Sequence, residues 1–190
     1  MLASDDRATL SDRLARTPEI APGPGDRLAA VLVLVVEGPE RSIVFTERSA
    51  TLRRHPGEVS FPGGLCEPED ASLVETALRE AEEEIGLDRT APLVLGALTA
   101  VHTFVSGILV APFVAVIPQL PSLAPVDGEI ARVLTVPVAS LMAAEREIAW
   151  TRPGGARWDG WLYEVEGGTI WGATGRMLHE LLALLREVPA

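Results

Sequence analysis

Cysteine is almost absent from this chain of 190 residues, and only Cys66 is present. A single cysteine excludes an internal disulfide and a zinc site built from several cysteines. Long apolar runs are missing too. The longest, Ala29 to Val36, falls well short of the roughly 20 residues that a membrane-spanning helix needs. The amino terminus, MLASDDRATL, carries acids where a secretory signal would have a basic and then an apolar region. We therefore expect a cytoplasmic protein with no membrane partner.

Lysine is absent, and the 16 basic residues are all arginines, against 27 acids and a net charge of −11. Such an excess of acid makes nonspecific attraction to nucleic-acid phosphates unfavourable, so we do not expect a nucleic acid as partner. A small polyanion can still bind if a divalent cation screens the acids and a few arginines make local contacts. The composition therefore favours a small-molecule substrate, and it makes a metal ion more necessary if that substrate is a phosphate.

The order of apolar patterns predicts a single domain over residues 1–190. Residues 1–27 are predicted as a helix, from Ser4 to Arg16, followed by a connector rich in proline and glycine. Further helices are expected from Ala71 to Gly86 and from Trp171 to Val188, where leucines and other apolar residues repeat at helical spacing. Strand-like runs lie at residues 29–36, 42–46, 93–101, 108–117, 131–136, 147–150 and 158–165. This pattern predicts an α/β fold with a mixed sheet packed between helices.

A long irregular stretch is predicted from Glu47 to Asp70. Loops of this length inside a compact domain are usually functional or mobile. We therefore expect this stretch to form the substrate surface.

The predicted helix that follows carries four acids close together, Glu80 and the run from 82 to 84. Like charges three or four residues apart destabilise a helix by roughly 0.2 to 0.5 kcal/mol per pair, so something should compensate for them. Glu80 and Glu84 are one turn apart and Glu83 lies beside them. Three carboxylates could therefore converge, as a hard cation such as Mg²⁺ or Mn²⁺ requires. A solvated charged face is the other interpretation. Arg79 favours the metal site because it could hold the Glu83 carboxylate in place.

Gly64 followed by REAEEEIGL at residues 79–87 resembles the Nudix box, G-x₅-E-x₇-R-E-U-x-E-E-x-G-U, in which U is apolar. The resemblance implies a Nudix-type α-β-α sandwich with a mixed sheet between helices. It also implies hydrolysis of a diphosphate with Mg²⁺ or Mn²⁺ as cofactor. The metal ligands that it implies are Glu80, Glu83, Glu84 and Gly64.

The spacing within the box departs from the family pattern at one point. Arg79 lies one position later, relative to Gly64, than the box requires. Counted back from Arg79, the position of the first glutamate falls on Ala71. Asp70 or Glu67 would have to take its place.

Residues 45–64, FTERSATLRRHPGEVSFPGG, are similar to a stretch that accompanies the box in coenzyme A pyrophosphatases, L-L-T-x-R-S-x-x-L-R-x-H-x-G-E-x-x-F-P-G-G. Further similarity occurs in VAPFVAVIP from residue 110, EIARVLTVPVASL from 129 and WGATGRML from 171. The resemblance implies that coenzyme A is the substrate, with 3′,5′-ADP and 4′-phosphopantetheine as products. Guanidinium groups suit the phosphates of this molecule. The expected substrate-binding residues are Arg48, Arg53, Arg54, His55 and Phe61.

The catalytic base is not fixed by the box, because Nudix enzymes differ in the carboxylate that takes the proton from water. Glu83 is the first candidate, Glu80 the second, and Glu129, in a later loop, the last. Arg79 is expected to act with them by holding a carboxylate in position.

Two alternatives stay open at this stage. The box specifies a diphosphate and a metal only, so the substrate could be ADP-ribose, NADH or a deoxynucleoside triphosphate. A non-catalytic nucleotide-binding module is the second alternative, although such a module would be expected to lose acids from the cluster. The tryptophan-rich segment between residues 150 and 171 is a candidate contact for a homodimer.

Overall fold

A mixed β-sheet forms the centre of the fold and lies between helices. The computed structural model describes residues 4–52, 55–103, 107–151 and 157–187. Its helices are α1 Ser4–Arg13, α2 Leu73–Ile85, α3 Val138–Ala144 and α4 Gly172–Arg186. Its strands are β1 Arg27–Val36, β2 Ser42–Arg48, β3 Val59–Ser60, β4 Gly63–Leu65, β5 Leu93–Ala97, β6 Val101–Thr103, β7 Ile108–Ile117, β8 Ile130–Pro137, β9 Glu145–Thr151, β10 Arg157–Val165 and β11 Gly168–Ile170. The predicted α/β class is confirmed.

The strand β1 pairs with different strands along its length, so β2 and β4 each flank only part of it. On one side β1 pairs in parallel with β7 over all ten residues. On the other side its first half pairs with β4, from Ala29 to Val31, whereas its last two residues pair with β2. The strands β8 and β3 pair with β2, and β5 and β6 pair with β7. A smaller sheet contains β9, β10 and β11.

The unbroken apolar run of β1 is explained by burial on both faces of the sheet. Side chains at even positions, such as Leu32 and Leu34, pack against α2. Side chains at odd positions, such as Val33 and Val35, pack in the core that also contains residues of α1 and α4. A parallel strand covered on both faces needs apolar residues at every position, which removes the alternation of a half-exposed strand.

Helix α2 begins and ends where the sequence indicates. The Ser72 side chain accepts a hydrogen bond from the Glu75 amide, and Gly86 ends the helix in the left-handed region at a φ of 69°. Its buried side includes Ala77, Ala81 and Ile85, which face the sheet. The acids therefore project from the helix edges that the sheet does not cover.

Each predicted strand region contains a strand, but the region 93–101 is divided into β5 and β6. The break lies opposite Pro112, which has no amide hydrogen to donate to a neighbour. The helix α3 and the short strands β3 and β4 were not predicted. α3 has no side-chain cap at its start, and β4 contains two glycines, so neither carries a local signal. In the part of the chain that the structure describes, no helix has the length and apolar character to cross a membrane.

Candidate active site

A cleft of about 810 Å³ lies beside the first half of β1, where β4 rather than β2 is its neighbour. Acidic and basic side chains line it together with the glycines of β4, and two apolar residues complete it. The lining residues are Arg27, Arg48, His55, Gly63, Gly64, Leu65, Glu67, Glu80, Glu84, Ile108 and Glu129. Clefts of this size commonly hold small-molecule ligands.

Arg79 connects the start of α2 to the loop before it. Its guanidinium forms a two-point ion pair with Asp70, with Nε–Oδ1 at 2.9 Å and Nη2–Oδ2 at 3.0 Å. Its Nη1 lies 3.0 Å from Glu80 Oε1 and 2.9 Å from Glu83 Oε2, and its Nη2 donates to the Leu65 carbonyl at 3.1 Å. Arg79 therefore contacts three carboxylates, those of Asp70, Glu80 and Glu83. Of these contacts, the sequence predicts the one with Glu83. The ion pair with Asp70 raises the pKa of Arg79 above its ordinary value.

Glu84 is the most deeply buried of the α2 glutamates. It is 7% exposed, and its Oε2 accepts a hydrogen bond from the Gly63 amide at 3.0 Å. Burial raises the pKa of Glu84 to about 8, although the hydrogen bond from Gly63 lowers it. The charges of Glu80 and Asp127 raise this pKa further, and Arg48 opposes them. Glu84 is thus a buried carboxyl group without a full counter-charge.

The carboxylate of Glu80 packs directly against Gly64. A Cβ atom at Gly64 would lie 2.5 Å from the Cδ atom of Glu80, so the glycine leaves the space that this carboxylate occupies. Burial raises the pKa of Glu80, and the charges of Glu83 and Glu67 add to the effect, whereas Arg79 lowers it. The absence of a side chain at Gly64 therefore allows Glu80 to lie against the backbone of β4.

These oxygen atoms fit a hard divalent cation. Glu80 and Glu84 both line the cleft, and burial is the main cause that raises the pKa of each, so a divalent cation there would stabilise both carboxylates in their charged form. Within residues 4–187, apart from the undescribed gaps, no three Asp, Glu, His or Cys side chains surround one point as metal ligands would. Glu80 and Glu83 meet at Arg79, whereas Glu84 turns to Gly63. The set of three carboxylate ligands stays a prediction.

Arg48 and Glu129 meet at the rim of the cleft. Arg48 Nη2 lies 3.1 Å from Glu129 Oε2, and the Ser49 amide donates to the Glu129 carbonyl at 2.7 Å. Asp127 Oδ1 accepts from the amides of Glu129 and Ile130 and thereby fixes the loop. The Nε atom of Arg48 is buried and has no hydrogen-bond partner in the described chain. The described chain therefore leaves this donor without an acceptor.

The other expected substrate-binding residues have different placements. His55 lines the cleft in a left-handed conformation with a φ of 55°, and its Nδ1 lies 2.7 Å from Glu58 Oε2. Phe61 is 1% exposed and stacks on Phe45 with ring centroids 4.9 Å apart. Its ring belongs to the core, so it offers no surface to a substrate in this conformation. Arg53 and Arg54 lie outside the described residues.

Comparison with known proteins identifies the family of this chain. The sequence model of the NUDIX domain matches residues 26–158. The chain belongs to the Nudix hydrolase family. A relative from Photorhabdus laumondii, named uncharacterized Nudix hydrolase NudL, is 36% identical over 91% of this chain and 96% of its own length. A protein of the same name from Cronobacter sakazakii is 40% identical over 86% of this chain and 85% of its own length.

Solved structures of Nudix proteins have the same fold. The Nudix hydrolase RenU from M. smegmatis has a TM-score of 0.59 and 15% identity, over 86% of this chain and 88% of its own. The NUDIX domain of Shewanella oneidensis NrtR, solved with ADP ribose, has a TM-score of 0.57 and 15% identity, with the same coverage. At this identity the similarity shows the fold, and it confirms the predicted Nudix-type sandwich.

The displaced acid of this Nudix box has a clear place in the structure. Asp70 holds Arg79, and its Oδ2 also accepts from the Glu67 amide at 2.9 Å and the Thr76 hydroxyl at 2.8 Å. The hydrogen bonds from Arg79 hold the pKa of Asp70 well below its ordinary value. Of the two acids that the sequence offers, Asp70 is therefore the ionic partner of Arg79, whereas Glu67 lines the cleft.

The residues of this Nudix site that sequence reasoning missed include Arg27, Leu65, Ile108 and Asp127. Arg27 and Ile108 line the cleft because they face each other in the parallel register of β1 and β7. Asp127 lies close enough to Glu84 to influence its pKa. No local motif marks these residues, since only the pairing of distant segments brings them to the site.

Proposed function

We propose that this Nudix hydrolase cleaves the diphosphate bridge of coenzyme A to give 3′,5′-ADP and 4′-phosphopantetheine. The observation that carries the chemistry is the meeting of Glu80 and Glu84 with the glycines of β4 in one cleft. The similarity of residues 45–64 to coenzyme A pyrophosphatases supports the substrate. Within that stretch, Arg48 and His55 line the cleft, which places part of the similar segment beside the carboxylates.

The proposed cofactor is Mg²⁺ or Mn²⁺, held by the carboxylates of Glu80, Glu83 and Glu84 and by the backbone carbonyl of Gly64. Such an ion, when bound, supplies positive charge to the diphosphate oxygens and makes the attacking water more acidic. The role of Arg79 is to hold Glu80 and Glu83 side by side through one guanidinium nitrogen. Asp70 in turn holds that guanidinium through two hydrogen bonds, which keeps Glu80 and Glu83 beside each other.

Glu83 is our first candidate for the group that takes the proton from water. Its side chain is 55% exposed, so it reaches solvent. Its negative charge raises the pKa of Glu80, which shows that the two carboxylates are close. Glu80 is the second candidate. Glu129 is the third candidate, because it lines the cleft but is paired with Arg48 at the rim.

The basic residues of the predicted loop would bind the phosphates that the metal does not reach. Arg48 supports this role because it lines the cleft, and a guanidinium can bind phosphate oxygens through two hydrogen bonds. Arg53, Arg54 and His55 are proposed to act with it.

A substrate panel tests the proposal. The protein is incubated with Mg²⁺ or Mn²⁺ and with coenzyme A, dephospho-coenzyme A, ADP-ribose, NADH or deoxynucleotides, and the products are separated by chromatography. We expect the highest kcat/KM for coenzyme A, with 3′,5′-ADP as a product. A higher kcat/KM for another compound would replace the proposed substrate. Hydrolysis of none of them would favour the non-catalytic nucleotide-binding module.

We propose the cytoplasm as the compartment, because the exposed Cys66 is a free thiol, as a reducing environment maintains. The homodimer contact also stays a proposal. In the tryptophan-rich segment, the rings of Trp161 and His179 stack with their centroids 3.6 Å apart. Trp171 is 47% exposed, so its ring is available to a partner.

A further inference from the structure

Arg27 is a cleft arginine that the described chain leaves unpaired. The other arginine of the cleft, Arg48, is paired with Glu129, whereas no ion pair or hydrogen bond of the Arg27 side chain occurs within the described residues. The neighbouring acid, Asp26, is already engaged by the Gly23 amide at 2.7 Å and by His102 at 3.4 Å. The Arg27 guanidinium is therefore free to meet an anion that enters the cleft.

The strand register gives the backbone separation between Arg27 and the part of β1 that pairs with Gly64. Ala30 of β1 pairs with Gly64, against which Glu80 packs. Arg27 precedes Ala30 by three residues, so its backbone lies about 10 Å farther along the strand. Arg27 thus lines the same cleft as Glu80 and Glu84, from a position farther along β1.

Two apolar residues, Leu65 and Ile108, line the same cleft as Arg27. Leu65 lies opposite Ala29 in the antiparallel pair, and Ile108 lies opposite Arg27 in the parallel pair. Side chains in register project from the same face of a sheet, and alternate residues of a strand share a face. Leu65, Ile108 and Arg27 therefore belong to one face, on which a cation adjoins an apolar surface.

We propose that Arg27 binds a phosphomonoester of the substrate, separate from the diphosphate that is cleaved. This inference rests on the proposed function for the identity of the substrate, in which the group is the ribose 3′-phosphate of coenzyme A. A phosphomonoester carries close to two negative charges at neutral pH. The planar guanidinium binds it through two parallel hydrogen bonds, and no neighbouring carboxylate has to be displaced.

Steady-state kinetics of Arg27→Gln test this role. The wild-type protein is expected to prefer coenzyme A to dephospho-coenzyme A in kcat/KM. Arg27→Gln should reduce that preference by about tenfold or more, mainly through KM for coenzyme A, because it removes hydrogen bonds to a charged group. Its kcat/KM for dephospho-coenzyme A should stay near the wild-type value. Arg176→Gln is the matched control, since Arg176 is exposed on α4 and the change in net charge is the same.

Calorimetry gives a second readout that does not depend on turnover. The wild-type protein without added metal should bind 3′,5′-ADP more tightly than 5′-AMP, and Arg27→Gln should remove the difference, whereas Arg176→Gln should retain it. An unchanged ratio of the two affinities in Arg27→Gln would overturn the inference. Equal losses of kcat/KM for both coenzyme A forms would also overturn it. If the wild-type protein hydrolyses neither form, the proposed function fails, and the affinity ratio still decides the role of Arg27.

Discussion

At the scale of single residues, the four clustered glutamates of α2 differ in their environments. Glu82 is paired with Arg89 on the outer side of α2, and Glu83 is exposed and bound to Arg79. Glu80 and Glu84 are turned to the glycines of β4. The sequence predicts a cluster of acids, but their burial depends on where β4 lies, and β4 has no local signal. The resemblance to the Nudix box separates Glu84 from Glu82, but the burial of Glu84 could not be predicted from the sequence.

The role of Glu83 can be separated from that of Glu129 by single substitutions. Glu83→Gln should lower kcat for coenzyme A by about 100-fold or more, the usual effect of losing a general base, with little change in Tm because its side chain is exposed. Glu129→Gln should retain most of the activity. The check is steady-state kinetics with thermal unfolding of each variant. If Glu83→Gln has near-wild-type rates and Glu129→Gln is inactive, the two roles are exchanged.

The two glycines of β4 should respond differently to a methyl group. In Gly64→Ala the new Cβ would meet the flexible carboxylate of Glu80, so the fold should be retained while kcat falls. In Gly63→Ala, at a φ of 151°, the Cβ would lie 2.6 Å from the Val31 Cα atom, and the backbone cannot move easily. We expect Gly63→Ala to cost about 1 to 3 kcal/mol of unfolding free energy. Denaturant titration and activity assays of both variants check the contrast, which equal effects would contradict.

At the scale of elements, α2 is fixed to the chain on both sides of its acids. Before the helix, Asp70 binds Arg79. At its end, the amides of Ala124 and Val126 donate to the carbonyls of Ile85 and Glu84, at 3.2 Å and 3.0 Å. The sequence predicts the limits of the helix because its caps are local, in contrast to these contacts with a distant loop. The orientation of the helix edge that carries the acids therefore follows from the tertiary structure.

Asp70→Asn tests the contact before the helix. The amide cannot accept both guanidinium hydrogen bonds, so the variant should lose about 1 to 3 kcal/mol of unfolding free energy at pH 7. The loss should shrink in acid, because the lowered pKa of Asp70 means that its contribution disappears as the wild-type carboxylate is protonated. Urea titrations at pH 7 and pH 3 measure both effects. Glu67→Gln, outside this ion pair, is the control and should change stability little.

At the scale of the whole molecule, the sequence predicts a mixed sheet between helices because both long helices have helical periodicity and most strands are short apolar runs. The cleft is less predictable. It depends on the point where β1 changes its neighbour, which places Arg27 and Ile108 beside residues of β4. Phe61 is expected to contact substrate from the similarity of residues 45–64 to coenzyme A pyrophosphatases, whereas the structure places its ring in the core. Local patterns report burial poorly where strands are two or three residues long.

The stability of the metal-free protein should depend on pH through Glu84. Its pKa is about 8 in the folded chain and 4.5 ordinarily, so the folded state holds a proton that the unfolded chain releases. Stability contributed by this group is therefore lost as the pH rises from about 4.5 to about 8. With a chelator present, Glu84→Gln should raise Tm relative to the wild type more at pH 8 than at pH 5. A difference in Tm that does not change with pH would contradict the burial of an uncompensated carboxyl group.

The central claim is that Glu80 and Glu84 form a site for a divalent cation in this cleft. Calorimetric titration of Mn²⁺ into the metal-free protein tests it most directly, with wild type, the double variant Glu80→Gln/Glu84→Gln, and Glu82→Gln as the control on the same helix. Wild type and Glu82→Gln should bind Mn²⁺ with the same affinity, and the double variant should bind it at least about tenfold more weakly. Equal affinities in all three proteins would contradict the claim.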